Sequence, residues 1–293
     1  MRATILTIAL CFLALTSQAS TLDSARVLLD DGWVNKAKAI LEPIVTSDEN
    51  NAEALYLLGR TFLSLDDHDQ AEKYLKRARE LDTTRYEHFL SYGNAIGLKA
   101  ARGSKLKAAF RARSCRDAYQ RAVELAPDST GPRIALIEFH MQAPGIAGGD
   151  KDKARAQLDT LFILDSAQGH IVRAGLLEFH ERDTSEAERE FLSAVRVDTS
   201  RVEPWYHLGG FYQRRQQYER AEKVLTTILM LDSSQTAARM QLGYLYQVQK
   251  RFGEAFEAFA AVLAVDSGNL GALYQIGRTA VLSESELPLG ERA

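Results

Sequence analysis

The sequence predicts an all-α protein built as an array of helix pairs. Three observations carry this. Gly59 and Gly93, and again Gly209, Gly243 and Gly277, recur at a 34-residue spacing. The residue before each is large: Leu58, Tyr92, Leu208, Leu242 and Ile276. Twelve residues after three of these glycines stands an alanine: Ala71, Ala221 and Ala255. A period of this length marks stacked repeats, each too small to bury its apolar face alone. Such stacks normally offer a binding surface instead of a catalytic pocket.

The unit around Gly59 shows why each repeat should fold as two helices. Leu55, Leu58 and Phe62 fall on one helical stripe. The polar run from Leu65 to Gln70 makes a turn, and a second helix comes next with Ala71, Leu75 and Ala78 on its inner face. A glycine inside a helix costs about 1 kcal/mol relative to alanine. Its recurrence calls for a packing reason, and close approach of the second helix supplies one.

The other units come in order. The first starts near Thr21 and places Ala37, Leu41 and Ile44 on its second helix. The third keeps Tyr92-Gly93 and sets Cys115, Tyr119 and Ala122 where Ala71, Leu75 and Ala78 stood, with an insertion near 99–114. The fourth and fifth lack the glycine but share an echo, Leu136-Ile137-Glu138-Phe139-His140 and Leu176-Leu177-Glu178-Phe179-His180. Their second helices carry Ala154, Leu158 and Leu161, then Ala187, Phe191 and Ala194. The sixth and seventh repeat the pattern of the second. The eighth has a first helix from about Leu270 to Leu282, expected to act as a polar terminal cap. The expectation is seven helix pairs plus one helix over 20–282, with a flexible tail over 283–293.

At these residues the chain resembles the tetratricopeptide repeat (TPR) family. Trp205, Leu208-Gly209, Tyr212, Ala221, Leu225 and Ile228 match the family pattern, as do Leu242-Gly243, Tyr246, Ala255, Phe259 and Val262. The Pro144-Gly145-Ile146 to Gly149 loop is similar to an insertion in secreted bacterial TPR proteins of unassigned role. The resemblance implies a right-handed superhelical solenoid whose concave face, lined by first helices, holds a protein or peptide partner. It implies that Tyr56, Arg60, Asn94, Arg133, His140, Arg173, His180, Tyr206, Gln213, Tyr244, Gln247 and Tyr274 line this groove. The carboxylate clamp of some TPR domains is not implied: Asn94 matches, but Leu90 stands where lysine is needed.

Residues 1–19 read as a signal peptide, with Arg2, an apolar run from Ile5 to Leu15 and small residues before Ser20. Export to a bacterial periplasm is therefore expected, with retention of the segment as an anchor the alternative. No later stretch is apolar enough to span a bilayer. Once Cys11 leaves with the signal, Cys115 has no disulfide partner. The formal net charge of −3 gives no case for nucleic acid.

The most localised charge is basic: Lys99, Arg102, Lys105, Lys107, Arg111, Arg113 and Arg116. It offers an alternative function, docking on an anionic polymer or lipid surface of the cell envelope. A second insertion, near 142–152, carries two glycines before Lys151, but Asp150 and Asp152 break the spacing of a phosphate-binding loop. His140 and His180 lack a third ligand, so no metal is expected. No cofactor is expected either. A thiol enzyme built on Cys115 is the remaining alternative and would require an exposed, low-pKa thiol. The primary reading is a non-enzymatic scaffold or adaptor.

Overall fold

The computed structural model describes residues 20–101 and 105–286, with 101, 105–107, 285 and 286 described in backbone only. The expected signal peptide, Arg102 and residues 287–293 lie outside them. All regular structure among the described residues is helical. The chain divides into two compact units, Met1–Leu164 and Asp165–Ala293.

Unit 1 holds α1 (20–30), α2 (Val34–Ser47), α3 (Ala52–Ser64), α4 (His68–Leu81), α5 (Tyr86–Ala101), α6 (Lys105–Leu125), α7 (Thr130–Gln142) and α8 (Lys151–Leu164). Unit 2 holds α9 (Ser166–Leu176), extended by a π-helical turn (Leu177–Glu181), then α10 (Thr184–Val197), α11 (Val202–Arg214), α12 (Tyr218–Leu231), α13 (Thr236–Val248), α14 (Phe252–Val265) and α15 (Leu270–Glu286). Within each unit α3 packs on α4, α5 on α6, α7 on α8, α9 on α10, α11 on α12 and α13 on α14. Second helices then pack on the next first helix, as α4 does on α5 and α12 on α13.

The glycines sit where the pairs touch. A Cβ on Gly59 would stand 2.5 Å from Leu75 Cγ, one on Gly93 2.4 Å from the Tyr119 ring, and one on Gly243 2.4 Å from the Phe259 ring. Gly209 is looser, 3.2 Å from Val224. The small residues Ala71, Cys115, Ala221 and Ala255 are all buried one turn away. Apolar packing of this kind fills the interior of both units.

Two further 34-residue beats hold the turns. Between the helices of a pair, one residue takes a left-handed conformation: Gly32, Asp66, Arg182, Gln216 and Lys250, all with φ between 58° and 81°. This ends the first helix and reverses the chain. Between pairs, Asp48, Asp82, Asp198, Asp232 and Asp266 accept a hydrogen bond from the backbone N–H two residues on, at 2.9–3.1 Å. Asp82, Asp198 and Asp232 also accept from a Thr or Ser hydroxyl at 2.6 Å, which helps hold their carboxyls below the usual range.

The two insertions take definite shapes. The first lengthens α5 and α6 to 16 and 21 residues. The second folds into a 3-10 turn at Gly145–Ala147, closed by Gly148 at φ +99°. Gly149 lies so close to the Ala143 carbonyl that a Cβ would fall 1.7 Å from its oxygen. Asp150 then caps α8 by accepting from the Lys153 N–H at 3.1 Å.

Two expectations change at the C-terminal end. Helix α15 runs to Glu286, four residues past Leu282. It is not a polar cap: Leu270, Leu273, Tyr274 and Val281 are exposed along it. No described helix is long and apolar enough to cross a membrane.

Candidate binding surface

First-helix side chains expected to face a partner fall into three groups. The first group is buried and serves the fold. Tyr56 meets the buried His88 ring at a tilt of 36°, with ring centroids 4.8 Å apart. Arg133 is 6% exposed and donates to the Pro127 carbonyl at 2.8 Å and to the Gln157 side chain. His140 is buried and its Nδ1 makes no hydrogen bond. Gln247 is buried and donates to the Thr279 hydroxyl at 2.7 Å and to Gln275 Oε1 at 3.2 Å, tying α13 to α15. These four do not present to a partner. The reason is local: Tyr56, Arg133 and Gln247 meet internal partners that sequence spacing does not reveal, and His140 is buried beside the Phe139 ring.

The second group is partly exposed but engaged. Arg60 pairs with Asp30 at 3.0 Å. Asn94 accepts from the Tyr119 hydroxyl at 2.9 Å. Arg173 lies 3.2 Å from Glu190, whose other oxygen meets His170 Nδ1 at 2.6 Å. Tyr206 donates to Gln235 at 3.3 Å.

The third group comprises Gln213, half-buried, and the exposed His180, Tyr244 and Tyr274. Tyr244 is supported from beneath by an edge contact to Phe259 at 5.6 Å. His180 and His140 are not equivalent, although they share a motif. The π turn at Leu177–Glu181 inserts an extra residue into the helix and rotates the side chains beyond it to a new facing. His140 is buried and His180 is exposed.

The π turn instead places Glu178 inside, 5% exposed. Arg214 on α11 donates to it from Nε at 3.1 Å and Nη2 at 2.8 Å, and Arg215 lies 3.6 Å away. Similar ties recur through unit 2. Arg201 donates to Asp165 at 2.7 Å, and Arg251 to Glu222 at 2.6 Å and 3.1 Å. Many of the cations on this unit therefore hold repeats together.

The basic segment is partly neutralised in the same way. Lys99 pairs with Asp69 at 2.5 Å and with Glu72. Arg116 pairs with Asp117 at 2.7 Å. Arg113 is exposed and donates to the Ile146 carbonyl at 3.3 Å, so the two insertions meet. Arg111 lines an open cleft of about 520 Å³ with Leu65, Asp66, Asp67, His68, Asp69 and Lys99. The sequence alone does not reveal this cleft, because its walls come from the α3–α4 turn and the α5–α6 extension. Among the described residues no group of three or more His, Cys, Asp or Glu is placed to hold a metal ion.

Cys115 lies buried against Gly93 and Gly97. It donates to the Gly93 carbonyl at 3.2 Å, and burial pushes its pKa up to about 11. This is the opposite of the exposed, acidic thiol that a cysteine enzyme requires.

Comparison with known proteins agrees with this architecture. Tetratricopeptide repeat family models match residues 28–90 and 209–269. Both stretches are tetratricopeptide repeats. It is 27% identical over 231 residues to mouse Superkiller complex protein 3, covering 67% of this chain and 14% of that protein. Among solved structures it is similar to the APC/C hetero-tetramer Cut9–Hcn1, at 18% identity and a TM-score of 0.50, covering 87% of this chain and 48% of that one. The human IFIT1 dimer with PPP-AAAA is also similar, at 17% identity and a TM-score of 0.53, covering 84% and 54%. The chain thus spans about half the length of these solved chains and a small part of the mouse protein. These likenesses show the fold. A repeat fold of this kind is typically a non-catalytic, protein-binding scaffold.

Proposed function

We propose that this protein is an exported scaffold or adaptor that binds a polypeptide segment along the first-helix face of unit 2. The carrying observation is that Tyr244 and Tyr274, on α13 and α15, are exposed while neighbouring polar residues are committed to the fold. Tyrosine rings offer rigid apolar area with a polar tip, suited to an extended or helical segment. Gln213 adds amide hydrogen bonding, and Arg173 adds a cation only half screened by Glu190. The rigid helix stack keeps these groups in place, so binding orders the partner and not the receptor. The leader-like residues 2–19 support export to a bacterial periplasm.

The test is affinity purification from envelope extract, comparing wild type with a Tyr244→Ala/Tyr274→Ala variant. Arg133 is unsuited to such a variant, because its loss would disturb the fold. A partner retained equally by both proteins would refute this surface.

One observation favours the second reading, docking of unit 1 on an anionic envelope surface. Phe110 and Ile146, one on each insertion, are 74% and 79% exposed, and Arg113 lies between their segments. Such a contact weakens steeply with salt. Vesicle binding that is indifferent to ionic strength and to Phe110→Ser would refute it.

A further inference from the structure

The first-helix face of unit 2 has a gap floored by backbone. Two ties join α9 and its π turn to α11 and bracket this gap. At one end Gln168 Nε2 donates to Glu203 at 2.5 Å. At the other, Arg214 donates to Glu178 at 3.1 Å and 2.8 Å. Seven residues beyond Gln168 and Glu203, about two helical turns along the same stripes, stand Gly175 and Gly210. Both are half-buried. Nothing lies within 4 Å of where a Cβ on Gly175 would be, and one on Gly210 would meet Arg214 Nη1 at 3.2 Å. Elsewhere the residue after the recurring glycine carries a side chain, as at Arg60, Asn94, Tyr244 and Arg278. Phe179 and Arg214 form the rim. Phe179 is 55% exposed, and the Arg214 guanidinium lies 5.3 Å from its ring centroid. The rim is also electropositive. Arg214 and Arg215 share the one buried carboxylate of Glu178, and Arg182 and Glu181 are exposed at the same end of the π turn. Three arginines thus stand against two glutamates. Glu203, at the far end, is already held by Arg201 at 3.1 Å and 2.5 Å.

We propose that the gap over Gly175 and Gly210 receives an aromatic side chain of a bound polypeptide, flanked in that polypeptide by acidic residues. The inference rests on the polypeptide-binding reading of this face and adds the chemistry of the bound segment. A floor without side chains lets a planar ring approach the helix backbone closely. A ring set beside Phe179 and against the Arg214 guanidinium gains aromatic and cation–π attraction together. Arg214 holds Glu178 through Nε and Nη2, which puts Nη1 on the Gly210 side of the gap. A carboxylate next to the ring meets the surplus positive charge there, whereas a lysine would be repelled. A small aliphatic side chain would leave part of the gap empty and bury less area. The parts of this sequence outside the described residues do not carry such a segment: 1–19 hold no acidic residue, and 102–104 and 287–293 hold no aromatic one.

The probe is a fluorescein-labelled peptide with one phenylalanine between two runs of aspartate, titrated into the full chain by fluorescence anisotropy. Saturable binding is expected. It should weaken about tenfold when alanine replaces the phenylalanine, and about tenfold in Gly175→Leu, whose side chain fills the gap. A peptide with lysines in place of the aspartates should not bind. Position 175 has open space around it, so an unchanged circular dichroism spectrum and urea midpoint verify the fold of Gly175→Leu. Phe179→Ser, on the exposed rim, is the second variant and should weaken binding in the same direction. No saturable binding of the aspartate peptide, equal binding by both variants, or equal binding of the lysine peptide would overturn the proposal. The reading beneath it fails differently. An envelope partner kept by Tyr244→Ala/Tyr274→Ala but lost by Gly175→Leu would refute the tyrosine contact and support the gap. A partner lost by the tyrosine variant and kept by Gly175→Leu would leave the tyrosine face standing and overturn the gap.

Discussion

Substituting the same residue type at the same repeat position should change stability with opposite sign at Gly243 and Gly277. In Gly243→Ala the new Cβ meets Phe259 Cε1 at 2.4 Å and Cζ at 2.5 Å. Ordinary contact begins at 3.4 Å, so the ring must retreat by about 1 Å. Phe259 is fully buried and has no open side to move into. Overpacking of this kind costs about 1–3 kcal/mol. Replacing a helical glycine by alanine returns about 0.5–1 kcal/mol. The net expectation is a loss of up to about 2.5 kcal/mol. In Gly277→Ala there is no clash, and only the gain of about 0.5–1 kcal/mol remains. Gly209→Ala, at 3.2 Å from a valine methyl, should fall between them. The assay is urea unfolding monitored by Trp205 fluorescence in a Trp33→Phe background, since the chain has two tryptophans and Trp205 reports on unit 2. A constant slope with denaturant would confirm that midpoints report stability. Equal destabilisation at Gly243 and Gly277 would refute the idea that the glycines exist to seat a second helix.

The same contacts set further outcomes. Lys250 holds φ +60° without being glycine, so Lys250→Gly should leave stability unchanged or raise it by up to about 1 kcal/mol; a clear loss in urea midpoint would contradict the strain argument. Cys115 should resist iodoacetamide in the native protein near neutral pH and react after unfolding; rapid native alkylation would revive a thiol-dependent activity. Burial holds His88 and His140 below their ordinary value of 6.5, so the unfolded chain takes up these protons first. Stability should therefore be full above about pH 7 and fall as pH drops through 6.5, with a further loss below 3.8 as Asp82, Asp198 and Asp232 protonate. Urea midpoints measured from about pH 8 to about pH 3 check this, and His88→Leu should flatten the first step.

The repeat was legible because its physics is local and periodic. Gly59, Gly93 and Gly243 mark close helix contacts directly, and the apolar stripe around each fixes which face turns inward. The candidate surface was less legible because exposure depends on residues distant in sequence. Arg133 reads as a groove cation until Pro127 and Gln157 are seen to hold it. Lys99 reads as part of a basic run until Asp69 and Glu72 neutralise it from the preceding pair. The His140 and His180 motifs read as twins, but one π turn separates their environments.

If the first-helix face of unit 2 receives a polypeptide, site-specific photo-crosslinking should detect it most directly. A benzophenone side chain is placed at Tyr244 or, as a control, at the exposed Met230 on a second helix. Irradiation in envelope extract should give a discrete adduct from position 244, competed by unlabelled protein, and none from position 230. Equal adducts from both positions, or an adduct from 230 alone, would contradict the account.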